Sequence, residues 1–133
     1  MDAEVTKLAE FCERQGYSTP EIQDLPGGGR LVRINKVILP KGGWNRDDAD
    51  VLFVVPPGYP AARPDCFWVT PASFRLAGGG TPQASNDGNP IPGDPVSGRP
   101  TTWFSWHLSH WTPGQDSLVS YFQTILTRLT PAR

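Results

Sequence analysis

The feature that most limits the fold is a long irregular stretch, Ala77 to Thr102, set inside the chain rather than at an end. Six glycines and five prolines fall there, and Ile91 and Val96 are the large apolar residues among them. Glycine loosens the backbone and proline removes a donor and fixes φ, so neither a helix nor a central strand runs through such a segment. A loop this long within a compact domain is as a rule functional or disordered. An ordered-looking element follows it, so it is no disposable tail. The working part of the molecule is therefore expected along residues 77–102 and into Trp103-Phe104-Ser105-Trp106-His107.

Regular elements flank that stretch. Val5, Leu8, Phe11 and Cys12 recur at spacings of three and four, which predicts a helix over Asp2–Gln15 with Gly16 as its left-handed cap. Arg30–Leu39, Asp50–Val55 and Cys66–Val69 read as strands, each closed by proline or glycine turns, and Glu21–Leu25 as an edge strand. Turns this short suit an antiparallel meander, because parallel crossovers need a dozen residues or more. Thr112-Pro113-Gly114-Gln115 matches a capping box with Thr112 as N-cap. Leu118, Phe122, Ile125, Leu126 and Leu129 then form an apolar stripe that Pro131 ends. The expected fold is one α+β domain over 1–133: N-terminal helix, antiparallel meander of about four strands, loop 77–102, C-terminal helix.

Composition removes several function classes. A net charge of −1 offers no basic face for a phosphate backbone, so nucleic acid is not an expected partner. No apolar run approaches the ~20 residues that span a bilayer, so no membrane is expected either. Met1-Asp2-Ala3-Glu4 is acidic, unlike the start of a secretory signal. Cys12 and Cys66 are too few for a disulfide scaffold, and a cytoplasmic location is expected. Gly27-Gly28-Gly29 and Gly78-Gly79-Gly80 lack the Lys-Ser/Thr of a phosphate loop. No cofactor is expected.

Val55-Pro56-Pro57-Gly58-Tyr59-Pro60, then Arg63-Pro64-Asp65-Cys66-Phe67-Trp68, then Trp111-Thr112-Pro113 together resemble the ubiquitin-conjugating enzymes. Leu39-Pro40-Lys41-Gly42-Gly43-Trp44-Asn45, Trp106-His107 and Trp111 to Asp116 are similar to a divergent bacterial branch of that superfamily. Its members are encoded beside ubiquitin-like proteins, activating enzymes and deconjugating peptidases. The resemblance covers Leu31 to Leu129 by pattern rather than identity. It implies the same helix–meander–loop–helix fold, a ubiquitin-like protein and an activating enzyme as partners, and a deconjugating peptidase in the same pathway.

The departures shape the chemistry. The family's thioester-forming cysteine lies about eight positions before the tryptophan of Trp-x-Pro, and Trp103 stands there instead. The His-Pro-Asn tripeptide is absent, and Asn86 and Asn89-Pro90 do not align with it. Cys66 falls in an apolar run on the expected fourth strand, where a thiol packs and reacts poorly.

An oxygen nucleophile is then the alternative to cysteine, and Ser105 is the candidate, with His107 as its base. In extended chain residues 105 and 107 face the same side, and imidazole takes up protons near neutrality. The intermediate would be an oxyester to the C-terminal glycine of a ubiquitin-like protein, passed on to an amine or hydroxyl. Asp87, Asp94 and Asp116 are all open as the group orienting His107. The competing reading of Ser105 is a local backbone cap. His107 and His110 form a His-x-x-His, but no cysteine stands nearby in sequence, so no metal is expected. Trp111 is expected to pack, while Trp103 and Trp106 suit either packing or an interface platform. Two functions result: an acyl transferase without a catalytic cysteine, or an inactive module binding a ubiquitin-like protein or activating enzyme noncovalently.

Overall fold

Short antiparallel strands, each paired to its neighbour in sequence, dominate the computed structural model of the protein, which describes residues 2–133. Helix α1 covers Asp2–Gln15, as the apolar spacing predicts, and buries Leu8, Phe11 and Cys12. It ends on Gly16 at φ 79°, and the Tyr17 amide donates back to the Cys12 carbonyl at 2.8 Å. Strands β1 (Glu21–Asp24), β2 (Arg30–Ile38), β3 (Asp48–Val55) and β4 (Phe67–Thr70) form the expected meander, each antiparallel to the next. Helix α2 covers Leu118–Leu129.

Two strands were not legible. β5 (Ser85–Asn86) and β6 (Thr102–Phe104) extend the sheet to six strands in the order β1-β2-β3-β4-β6-β5. Segments of two and three residues are too short for an alternating pattern to show. Further corrections concern element ends. Cys66 lies outside β4, at φ 60°, a left-handed conformation that interrupts the extended run. The N-cap of α2 is Ser117, whose side chain accepts from the Ser120 amide, while the Ser120 hydroxyl accepts from the Ser117 amide. Thr112 instead opens a turn that the Asp116 carboxylate closes on the Thr112 amide at 2.7 Å. Both segments carry capping chemistry, and the apolar stripe starting at Leu118 decides which of them leads into a helix.

The sheet divides the interior into two layers by its period of two. One face, with Val32, Ile34, Val51, Phe53, Phe67, Val69 and Phe104, packs against α1 and α2. The other places Leu31, Leu52, Trp68 and Trp103 under Leu25, Cys66 and Ile91. Glu4 ties the helical layer together, since its carboxylate accepts from the Tyr59 hydroxyl and from the Leu118 amide that begins α2. A negative charge there complements the N-terminal end of the helix.

The long loop lies against the second face. Ile91 is buried in that layer, and the Trp68 indole donates to the Asn89 carbonyl at 2.9 Å. Asp94 and Arg99 pair at 2.6 Å. Asp87 joins Arg75 at 2.6 Å, the Thr102 hydroxyl at 2.7 Å and the Ser73 amide at 3.2 Å. The loop is thus built from polar clasps around buried Ile91, because it has few apolar side chains to bury.

Arg75 first, then Thr102 and Ser73, hold the Asp87 carboxyl down at about 2 against the opposing effect of burial. A carboxyl depressed in the folded state adds stability above its unfolded value, ~3.9, and loses it as pH falls through the folded one. Asp87→Asn is therefore expected to cost roughly 1–2 kcal/mol at pH 6. The gap from wild type should shrink below pH ~4 and close only below pH ~2, read from urea unfolding across pH. Phe104 is fully buried and stacks on Phe67 with centroids 4.8 Å apart. Phe104→Ala is expected to cost roughly 3–5 kcal/mol in the same assay.

Candidate active site

The site forms where β4 and β6 run out together. Their register sets Phe67 opposite Phe104 and Trp68 opposite Trp103. One step further the Cys66 amide donates to the Trp106 carbonyl at 2.9 Å. On the other side the Ser105 amide donates to the Ala84 carbonyl at 2.8 Å. Residues 105–107 are held between the β3–β4 connection and the loop, so their side chains have a fixed base.

His107 bridges two partners there. Its Nε2 lies 3.2 Å from Ser105 Oγ, and its Nδ1 lies 2.6 Å from Asp65 Oδ1. A carboxylate only accepts, so Nδ1 carries a proton. The other nitrogen of a neutral ring then has the lone pair, and the Ser105 hydroxyl donates to it. Hydroxyl, imidazole and carboxylate thus stand in a row, an order that acyl-transfer chemistry can use. The sequence brings Ser105 and His107 together as expected.

The carboxylate that faces His107 is that of Asp65, not Asp87, Asp94 or Asp116. Asp87 and Asp94 hold the loop through arginine, and Asp116 closes the turn before α2. The missed signal was β6: with Phe104 paired to Phe67, residues 65 and 66 necessarily face 105–107. Cys66 is buried among apolar side chains, as expected from its surroundings. Burial pushes its thiol up, and the nearby Asp65 carboxylate adds to this against a backbone hydrogen bond near Trp106. It is a poor nucleophile on that account.

Asp65 and His107 are open, with side chains 57% and 60% exposed. Their contact contributes little to stability at that exposure. Beside them a cleft of about 320 Å³ runs over Cys66, Trp68 and Trp103 between Pro56 and Pro90. Trp103, at the position of the missing cysteine, packs in the second layer, and Trp106 packs beside the first. Trp111 stacks at a tilt on Tyr59 and donates to the Pro60 carbonyl at 2.7 Å. The Tyr-Pro segment and the Trp-x-Pro segment are thus one contact, which bears out packing for Trp111. His110 stands apart from the cluster that gathers on His107.

The family model described as prokaryotic E2 family E matches residues 6–132. The chain belongs to that family. No curated protein and no solved structure gives a match. Membership of this family agrees with the helix–sheet–helix order and with the resemblance carried by Tyr59-Pro60 and Trp111-Thr112-Pro113. No helix among the described residues is long and apolar enough to cross a membrane.

The hydrogen-bond directions lead to a spectroscopic expectation. At a pH where the ring is neutral, long-range ¹H–¹⁵N correlation should find the His107 proton on Nδ1. Asp65→Ala should move it toward Nε2. A proton on Nε2 in the wild type would contradict the arrangement.

Proposed function

We propose that this member of the prokaryotic E2 family E is an acyl transferase that carries a ubiquitin-like protein as an oxyester on Ser105. The observation that supports it most is the chain of contacts from Ser105 Oγ to His107 Nε2 and from His107 Nδ1 to Asp65 Oδ1. An activating enzyme presents the C-terminal glycine of the ubiquitin-like protein as a thioester. Ser105 Oγ attacks its carbonyl carbon, His107 Nε2 takes the hydroxyl proton, and Asp65 stabilises the imidazolium. As the tetrahedral intermediate collapses, the thiolate leaves with that proton and Ser105 holds the ester. An amine or hydroxyl then attacks the same carbonyl, His107 takes its proton, and Ser105 Oγ leaves reprotonated.

The exposure of the site fits a macromolecular substrate. Open to water, an ester on Ser105 would hydrolyse. A docked ubiquitin-like protein supplies the cover, with its extended tail in the cleft over Trp68 and Trp103. An oxyester is a weaker acyl donor than a thioester, which asks more of the surrounding hydrogen-bond donors. The partners in this reading are a ubiquitin-like protein and an activating enzyme, with a deconjugating peptidase in the pathway, in a reducing cytoplasm.

One observation favours a second reading. Trp103 stands at the place of the catalytic cysteine and packs, partly buried, against the second apolar layer, as suits a module that binds a ubiquitin-like protein or activating enzyme noncovalently.

Incubation with activating enzyme, ubiquitin-like protein and ATP separates the two. The transferase yields an adduct that resists thiol reductant and is cleaved by hydroxylamine. Ser105→Ala should abolish it and Cys66→Ala retain it. His107→Ala should slow its formation roughly 100- to 10,000-fold, the usual range for a general base. Tight binding with no adduct would leave the noncovalent module.

A further inference from the structure

Asp65, Cys66 and His107 offer a carboxylate oxygen, a thiol sulfur and an imidazole nitrogen that all lie within 4.8 Å of one another. Neighbours in an extended strand point to opposite faces. The left-handed backbone at Cys66, φ 60°, breaks that alternation, and consecutive side chains converge on one histidine. Buried Cys66 and exposed Asp65 both line the cleft, and exposed His107 stands against Asp65, so an ion has a path from solvent. We propose that these three side chains bind a zinc-like divalent transition metal at the end of β4.

The donor set selects the class of ion. Thiolate and imidazole suit zinc, cobalt and copper, whereas magnesium and calcium take oxygen donors. With bonds of roughly 2.0–2.3 Å, tetrahedral ligands stand about 3.5 Å apart, so the cluster closes by small side-chain rotations. Coordination displaces the Cys66 thiol proton to solvent and leaves a fourth position for water. Three protein ligands and one open position is the pattern of exposed rather than purely structural zinc sites.

Binding would disarm the base, a consequence that rests on the acyl-transfer reading. A metal on Nε2 removes the lone pair facing Ser105. A metal on Nδ1 displaces Asp65, and the neutral ring then carries its proton on Nε2 and accepts nothing from Ser105. Metal occupancy and ester formation exclude each other either way.

Cobalt(II) is the probe, added to the intact protein under reducing, phosphate-free conditions. One equivalent should give thiolate-to-cobalt charge-transfer absorption together with tetrahedral d–d bands, and zinc should displace them. Cys66→Ser should lose the charge-transfer band. His107→Ala, at an exposed position that leaves the core intact, should lose the tetrahedral d–d intensity. His110→Ala should keep both, with far-UV circular dichroism confirming each fold. Absence of the bands in the wild type, or their survival in His107→Ala, overturns the site. Ser105→Ala should retain the bands while losing the ester, so a failure of the acyl reading leaves the cobalt result unchanged and separately readable. Where the ester forms, zinc should suppress it and a chelator restore it.

Discussion

Phe67 and Phe104 lie face to face across β4 and β6, and the meeting of Asp65, Ser105 and His107 follows from that pair. The rings are nearly parallel, at 5°, and fully buried. Side chains alternate along each strand, so fixing these two on the helix-covered face fixes Trp68 and Trp103 on the other. It also fixes which residues meet just beyond the strand ends. A slip of one residue would turn Phe104 away from the core and carry Ser105 and His107 away from Asp65. Hydrophobic burial here does the work of positioning, and the polar site inherits its geometry from an apolar contact.

The long loop shows a second way of holding chain in place. It has too few apolar groups to build a layer of its own, so buried Ile91 anchors it and charge-assisted contacts clasp its ends. Asp87 connects Arg75 before the loop to Thr102 at the start of β6, and accepts directly from the Ser73 amide. The clasp therefore supports the strand that leads to Ser105. In contrast, the groups at the site stand in the open. Stability sits in the layers and the clasps, while Asp65 and His107 stand exposed beside them.

Membership of the prokaryotic E2 family E agrees with the architecture, and the departure at Trp103 gives the protein its particular interest. The position that carries a thiol in the conjugating enzymes it resembles is occupied here by a packed aromatic. Two and four residues on, a serine meets a histidine, and the histidine meets a carboxylate from the connection that leads into β4.

The amino-acid order alone determined the long elements. Helical spacing from Val5 to Cys12 marked α1, the β-branched runs marked β2 and β3, and glycine and proline density marked the loop, because each is a local property of contiguous chain. Ser105 and His107 were legible as a pair for the same reason: two residues apart in extended chain, they share a side. What local pattern could not carry was β6, three residues long, and the choice between two capping segments before α2. Asp65 was invisible as the partner of His107, since more than forty residues separate them. Only the packed sheet, by pairing β4 with β6, decided that they would meet.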